Sequence, residues 1–358
     1  MANLETRIGE LRLKNPVIAA PGEHLIDAGG IRALIEAGAG AVVGKSINES
    51  QAARQQLQQA EYTLLDHRWN AVDWREDAAR GLTVFTRSGL PPLSFEAWLA
   101  QAVVMDGYAR EHDCLFVPSL ILADPTTARE MAINIQSAGM KCLEFNIGTP
   151  YASQSASCAV STELLPERVN KLTHMMVQAL EIPVWVKISG QSERVADLAA
   201  AAFSAGAESV VMAGRSLGML PDLATQKPVL GTSCGIGGYW NLPMTCHWLA
   251  TSRQHLGTSR PLIGINGATN GHDVARMMLA GATAVGLSSE VMLRGRSVIT
   301  DAVRDLNTYC DSKGMAAADL IGRAADARQS YADLPVIGDH WRNFIPSNPD
   351  PAIKEKQK

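Results

Sequence analysis

A turn with a single hydroxyl follows an apolar run in the segment LEFNIGTPY, residues 143–151. The run ends on the amide side chain of Asn146, and Gly148 and Pro150 then break the chain on either side of Thr149. Glycine and proline both favour a tight turn at such a place. The segment therefore predicts a buried strand that ends by presenting an amide and a hydroxyl at one edge of a sheet.

Two lysines occupy other apolar runs, where charged side chains are rare unless they are paired. Lys45 lies near the end of GAVVGKS (40–46), and Lys187 lies inside PVWVKIS (183–189). If both lysines reach the same edge of a sheet, they indicate an anionic ligand there. The alternative for each lysine, which the sequence leaves open, is that it pairs with a carboxylate or extends to the surface.

Eight short apolar runs, rich in β-branched residues and without strict alternation, are typical of parallel strands covered on both faces. Helical segments such as DPTTAREMAINIQSAGM (124–140) lie between them, and several end in Ala-Gly, where glycine can take the left-handed position. Eight strand–helix units favour an α/β fold, the closed (β/α)8 or TIM barrel, over a doubly wound open sheet. The runs span residues 16–21, 40–46, 114–120, 142–148, 183–189, 209–214, 261–267 and 283–289.

One barrel domain is expected over residues 1–330, followed by a tail rich in Pro and Asp at 331–358. Two connections exceed the minimal unit, namely residues 49–92, which are polar and irregular in pattern, and residues 214–242. Long connections after barrel strands usually build the active site or a lid. Together with residues 149–162, they are the expected substrate loops.

The carboxyl ends of barrel strands meet on one face, which is where barrels carry their chemistry. The seventh run continues into GINGATNG (264–271), where glycines let the backbone approach an anion before a helix begins. Ser288 and Ser289 end the eighth run and add hydroxyls. Together with Lys187, a strand-borne cation in the middle of the same mouth, these ends suggest a flavin phosphate and a positive charge near the ring, which stabilises the anionic reduced flavin. An ordinary glycine-rich turn is the alternative.

The composition argues against several classes of protein. The 358 residues carry a net charge of −4, no Lys/Arg-rich run and no apolar N-terminal block, so binding to nucleic acid or a membrane and secretion are not expected. No apolar run approaches the length of about 18 residues that suggests a spanning helix. The six cysteines form no C-x-x-C pair, so no metal or iron–sulfur site is expected, and a reduced cytoplasmic compartment is favoured.

The sequence resembles the flavin-dependent dihydroorotate dehydrogenases and the flavin domain of dihydropyrimidine dehydrogenases. The resemblance covers roughly residues 8–310, and it depends on the order and spacing of several motifs. LEFNIGTP stands where the family has an Asn-x-x-Cys/Ser-Pro turn, and IPVWVKIS stands where it has a lysine strand. The other matching segments are LRLKNPVIAA, AGAGAVVGKS, GIGG (235–238), PLIGINGATNGHDVARMMLAGATAVGLSS and LRG.

The resemblance implies bound FMN and an oxidoreductase acting on CH–CH groups. In the family, the turn after the fourth strand exchanges a proton with one substrate carbon while flavin N5 exchanges hydride with its neighbour. Thr149 holds that position, and Asn146 and Lys187 match positions near the substrate and the flavin. A hydroxyl is a weak base unless a neighbour takes its proton, so Tyr151 and Cys158 are the alternatives. The implied FMN site comprises Ala20, Gly22, Lys45, Ser46, Asn146, Lys187, Gly237, Gly238, Asn266, Gly267, Ser288 and Ser289.

The substrate-reading positions depart from those of the family, whose orotate-using members read the ring's amide groups with asparagines from four places. The matching residues here are Thr86, Asn146, Tyr151 and Gly214. Since only Asn146 is kept, dihydroorotate is not the expected substrate. Arg87 and Arg215 stand beside changed positions and suit a carboxylate, although a surface location fits each equally well. The expected substrate is a cyclic or aromatic-derived compound that lacks the full pyrimidine imide. Both an anionic and a neutral substrate fit this expectation.

Two other functions are left open by the sequence. A phosphate-binding barrel lyase or aldolase would use Lys187 to form a Schiff base, and a flavin-binding member with lost or altered catalysis would fit the changed acid/base position. The electron partner is expected to be a soluble acceptor or a protein, because the chain has no dinucleotide-binding fingerprint and no N-terminal extension like that of quinone-using members. A homodimer is an expectation of the resemblance alone.

Overall fold

The computed structural model describes residues 2–150 and 152–345. The chain forms two units, Met1–Asp326 and Ala327–Lys358. The described part of the second unit, residues 327–345, is exposed throughout and contains two short 3₁₀ turns, Tyr331–Asp333 and His340–Phe344. The first unit contains the barrel.

Parallel strands close into a ring in the first unit. The sheet has nine strand segments in a row, and its two end segments, Leu115–Val117 and Ser119–Ile121, are the halves of one strand interrupted at Pro118. The ring therefore closes with eight strands, and the predicted (β/α)8 barrel is confirmed. The segments follow the order Leu115–Val117, Ala41–Val43, Val17–Ala19, Ala282–Leu287, Leu262–Ile265, Ser209–Met212, Val184–Lys187, Leu143–Asn146 and Ser119–Ile121.

Each barrel strand directs alternate side chains into the barrel and toward the helices. In the fifth strand, Val186 packs in the outer core, whereas Trp185 packs in the barrel interior. Lys187 follows at the carboxyl end and is the register partner of Asn146 on the fourth strand, while Trp185 is the partner of Glu144. The fourth and fifth strands thus bring a carboxylate, an amide and an ammonium to the top of the barrel.

Helices cover the outside of the barrel, and their ends follow local sequence signals. Asp124 caps the helix Pro125–Ser137 by accepting a hydrogen bond from the Thr127 N–H at 2.8 Å. Gly139 follows that helix with a φ of +88°, the left-handed position predicted for its Ala-Gly ending. The α-helices are Ala28–Glu36, Gln51–Gln55, Phe95–Glu111, Pro125–Ser137, Pro166–Ala179, Val195–Ser204, Leu242–Leu256, Gly271–Leu279, Ser289–Arg294, Ser297–Lys313 and Arg323–Asp326.

The long connections form a second, antiparallel sheet, which we call the cap sheet. The polar and irregular sequence pattern of residues 49–92 did not indicate these strands. The two central strands are far apart in the sequence, since Thr86 pairs with Gly235. The second of these strands contains three glycines, which have a low β propensity, so its sequence does not resemble a strand. The strands follow the order Ser216–Gly218, Cys234–Gly238, Thr83–Arg87, Glu61–Leu65 and Ala71–Val72.

An N-terminal hairpin, Thr6–Ile8 with Leu11–Leu13, packs against the barrel interior. Ile8 and Leu13 are fully buried in the interior cluster, and the Thr6 hydroxyl donates to the Thr283 carbonyl at 3.1 Å. The hairpin therefore fills the amino-terminal end of the barrel, which leaves the opposite end for a ligand. Within the described ranges, every helix is too short or too polar to cross a membrane.

Candidate active site

A cavity opens at the carboxyl ends of the barrel strands, between the barrel and the cap sheet. Its empty space, including open solvent at the mouth, is about 1260 Å³. Three cationic side chains and no Asp or Glu occur among the described residues that line it. The predicted site residues on its wall are Ala20, Lys45, Ser46, Thr86, Asn146, Thr149, Lys187, Gly214, Arg215, Gly237, Asn266, Gly267, Ser288 and Ser289.

The other predicted site residues lie elsewhere. Arg87 points away from the cavity, because it follows Thr86 on a cap strand, and it donates to Glu61 at 2.5 Å and to the Leu230 carbonyl at 2.8 Å. Gly22 is buried and does not line the cavity, and a Cβ there would lie 2.7 Å from the ring of His24. Gly238 lines a smaller neighbouring cavity. Tyr151 lies outside the described residues.

Lys45 is buried in an ion pair with Glu23, at 2.8 Å between Nζ and Oε1. Burial of Glu23 opposes its ionisation, but the charges of Lys45 and Arg215 and hydrogen bonds from Lys45 and Tyr62 prevail, and the pKa of Glu23 falls to about 2. Glu23 is therefore a carboxylate at neutral pH. Of the two options for Lys45, pairing with a carboxylate is the one observed, although Lys45 also lines the cavity.

Lys187 also faces a buried carboxylate. Its Nζ lies 3.8 Å from Glu144 Oε1, and that oxygen accepts a hydrogen bond of 2.8 Å from Ser119 Oγ. Ser119 Oγ lies in turn 2.8 Å from Ser46 Oγ at the cavity wall. A continuous polar network thus runs from the cavity, through two serines, to the partner of Lys187.

The turn after the fourth strand presents a buried hydroxyl without a partner. Asn146 Oδ1 accepts a hydrogen bond of 3.2 Å from the Gly148 N–H, and the Thr162 hydroxyl donates to the Thr149 carbonyl, so the turn is held on both sides. Thr149 Oγ1 is inaccessible to solvent and has no hydrogen-bond partner in the described chain. Because such a group is costly to bury, the hydroxyl indicates a polar ligand atom at this point of the cavity.

Arg215 follows the sixth barrel strand and extends along the cavity wall. One guanidinium nitrogen donates to Thr86 Oγ1 at 2.5 Å, and another lies 3.5 Å from Ser88 Oγ. Its charge also acts on Glu23. The sequence left open whether each arginine lies in the site or at the surface. Arg215 lines the cavity, whereas Arg87 does not.

The glycine-rich turn after the seventh strand approaches the cavity with its backbone. Gly267 has a φ of +112°, and a Cβ at this position would lie 2.4 Å from the backbone nitrogen of Leu242. Only glycine fits there without a shift of the backbone. Asn266 has a φ of +74°, which asparagine tolerates better than most residues, and the Ser288 hydroxyl donates to the Pro21 carbonyl at 3.0 Å. Glycine is therefore required at position 267 by its contact with the backbone at the start of the helix Leu242–Leu256, and Gly267, Ser288 and Ser289 all line the cavity.

Several residues of the site were not identified from the sequence, namely Glu23, Tyr62, Ser88, Ser119 and Glu144. For Glu144 a signal existed, because it lies in an apolar run two positions before Asn146 and strand alternation places both on the same face. Tyr62 and Ser88 line the cavity because the cap sheet brings them there, and the sequence pattern did not reveal this sheet.

Comparisons with known proteins agree on one family. The family model described as dihydroorotate dehydrogenase matches residues 124–309. The catalytic subunit of dihydroorotate dehydrogenase B (NAD(+)) from Methanocella arvoryzae is 27% identical over 318 residues, covering 88% of this chain and 96% of that protein. Dihydroorotate dehydrogenase A (fumarate) from Lacticaseibacillus paracasei is 30% identical over 188 residues, covering 52% and 63%. The subunit from Thermoplasma acidophilum is 25% identical over 333 residues, covering 90% and 99%.

Proposed function

The chain belongs to the dihydroorotate dehydrogenase family, whose members are FMN-dependent oxidoreductases of CH–CH groups, and we propose that its substrate is a cyclic compound other than dihydroorotate. The observation that carries the activity is the convergence of Thr149 and Lys187 on one cavity. Thr149 presents a hydroxyl that lacks a partner, and Lys187 presents an ammonium. These are a proton-transfer group and a charge that stabilises a reduced flavin.

The residues of the cavity fit FMN. Gly267, Ser288 and Ser289 line one end of the cavity, where backbone and hydroxyl groups suit the phosphate. Lys45, Ser46 and Lys187 lie on the opposite wall of the ring of strands and offer polar groups to the isoalloxazine. When bound, the flavin supplies hydride transfer at N5.

Thr149 is assigned the proton transfer to or from the substrate carbon. Its turn holds the hydroxyl away from water, and Asn146 stabilises the turn. A hydroxyl gives up a proton to a developing carbanion more readily than it removes one from carbon, unless a neighbour takes the proton onward. The site therefore favours reduction of a ring double bond over the reverse reaction.

The substrate proposal follows from the side chains that replace amides. Thr86 has its hydroxyl engaged, since Oγ1 accepts from Arg215 and lies 3.4 Å from the Gly235 carbonyl. Gly214 has no side chain to offer. A pyrimidine imide would leave several buried polar atoms unpaired at these positions, at a cost of about 1–3 kcal/mol each. The relatives named above are dihydroorotate dehydrogenases, and the proposal departs from their named substrate on this ground.

Purified protein is expected to bind one FMN per chain and to be yellow. The expectation follows from the three cationic side chains and the glycines that line the cavity. Absorbance spectra, with release of the flavin by denaturation, measure the stoichiometry. A colourless protein that takes up no added FMN would sink the flavin assignment and leave the barrel lyase or aldolase, in which Lys187 acts as the amine.

Dihydroorotate, dihydrouracil and dihydrothymine are expected to be poor substrates. Steady-state assays with the flavin-loaded protein and a range of electron acceptors would measure kcat/KM for each, beside a panel of cyclic enones and unsaturated cyclic carboxylates. A kcat/KM of about 10⁴ M⁻¹s⁻¹ or more for any of the three, which is in the ordinary range for enzymes, would show that the substrate proposal is wrong while leaving the flavin chemistry intact.

The proposal also includes partners that the residues of the site do not specify. The electron partner is a soluble acceptor or another protein, and a homodimer follows the expectation from the family. A cytoplasmic location is proposed because all six cysteines are free, as is usual in a reducing compartment.

A further inference from the structure

A buried carboxylate, Glu144, lies behind the cavity wall in the barrel interior. Its side chain is 2% exposed, and it stands two positions before Asn146 on the fourth strand. Its neighbours come from the two adjacent strands, with Lys187 on one side and Ser119 on the other. Burying a charge is costly unless it is paired, so the position of Glu144 depends on these two partners.

Two serines connect Glu144 to the cavity, and the carboxylate sets the direction of their hydrogen bonds. A hydroxyl has one proton to donate, and a carboxylate has none. Ser119 donates its proton to Glu144, so the bond between the two serine oxygens must be donated by Ser46. Ser46 therefore turns only lone pairs toward the cavity and meets a ligand as an acceptor.

The same carboxylate offsets the charge of Lys187. At 3.8 Å the two groups are too far apart for a hydrogen bond but close enough for a strong electrostatic interaction. Lys187 can thus direct its N–H donors into the cavity while its charge is partly balanced from behind. Without Glu144, a ligand in the cavity would meet the full charge of the ammonium.

We propose that Glu144 is a positioning residue for the flavin, which lowers the effect of Lys187 on the reduced flavin and fixes Ser46 as an acceptor. The inference rests on the proposed function, because it concerns bound FMN. A cation near the ring favours the anionic reduced flavin, so Glu144 makes the flavin harder to reduce than Lys187 alone would. Glu144 acts through its two neighbours and does not itself line the cavity.

Sulfite binding to the oxidised flavin tests this role without turnover, because the adduct at N5 is anionic and bleaches the flavin. Glu144→Gln keeps the size of the side chain and the acceptor for Ser119 but removes the charge. It is expected to lower the sulfite dissociation constant about tenfold or more, as loss of one charge near the ring at an effective dielectric constant of about 20 allows. The flavin midpoint potential should rise in parallel. Glu144→Asp keeps a carboxylate but withdraws it from Lys187, and a smaller change in the same direction is expected.

The matched control is Glu163→Gln, since Glu163 is also buried but pairs with Arg168 at 3.0 Å and does not line the cavity. Its sulfite affinity should match that of the wild type. If folded Glu144→Gln shows neither change, this inference alone is overturned. If Glu144→Gln does not fold, the sulfite dissociation constant of Glu144→Asp is used instead. A lower constant supports the inference, and an unchanged or higher constant overturns it. A wild-type protein that binds no FMN would overturn the proposed function as well.

Discussion

Substitution of Thr149 by valine is expected to slow substrate-dependent flavin turnover by about 10²–10⁴-fold, the usual effect of losing an acid/base group. The hydroxyl is buried, lines the cavity and has no partner in the described chain, so a reacting substrate is its natural partner. Valine keeps the shape of threonine and removes the hydroxyl alone. Stopped-flow measurement of flavin oxidation and reduction at saturating substrate would follow the affected step.

The controls for Thr149 separate chemistry from folding. FMN content should not change, and the melting temperature of Thr149→Val should not fall, because an unpaired buried hydroxyl contributes nothing to stability. Thr149→Ser should retain most of the activity. A loss below about tenfold in Thr149→Val would assign proton transfer to another group. Cys158 is exposed and outside the described cavity wall, Tyr151 lies outside the described residues, and a bound water is the third option.

The barrel could be predicted because its strands are specified by local pattern. The run at 142–148 forms the strand Leu143–Asn146, and the run at 183–189 forms Val184–Lys187. Short apolar segments between helices have few other ways to be buried on both faces. The polar residues at their carboxyl ends then had to converge, because parallel strands end at one face of the barrel.

The partners of the two lysines could not be predicted in the same way. Glu23 reaches Lys45 from the short 3₁₀ helix Glu23–Leu25, 22 residues away, and Glu144 reaches Lys187 from the neighbouring strand. Strand alternation places Glu144 on the face of Asn146, but the pairs themselves depend on the register between strands and on how far each side chain extends, which the apolar pattern does not specify. The carboxylates change the chemistry, since two lysines that suggested free cations are in fact partly neutralised.

The two arginines show how a missed strand limits the prediction of a site. Arg87 directly follows Thr86, and consecutive residues of a strand face opposite sides of a sheet. Once Thr83–Arg87 is known to be a cap strand with Thr86 on the cavity side, Arg87 has to point away. The sequence pattern around residues 49–92 did not reveal this strand, so the orientation of Arg87 was undetermined.

Arg215 is a cation on the cavity wall whose side chain suits an anionic substrate. Arg215 donates to the hydroxyls of Thr86 and Ser88, and its charge also acts on Glu23. A guanidinium presents paired donors in a plane that matches a carboxylate. Its neighbour Gly214, which also lines the cavity, has no side chain that could cover the guanidinium.

Arg215→Met is therefore expected to lower kcat/KM for a cyclic carboxylate substrate by about 10–100-fold, mainly by raising KM, since a hydrogen bond to a charged group contributes about 1.5–3 kcal/mol. The methyl ester of the same compound should be affected little, because it lacks the charge that Arg215 recognises. For the acid, kcat/KM of Arg215→Lys should lie between those of the wild type and Arg215→Met, since lysine keeps the charge but not the paired planar donors of the guanidinium. Arg87→Met is the matched control, because Arg87 follows Thr86 on the cap strand but lies outside the cavity, and this substitution should leave KM unchanged. Equal losses for acid and ester would contradict charge recognition by Arg215 and point instead to a steric role on the cavity wall.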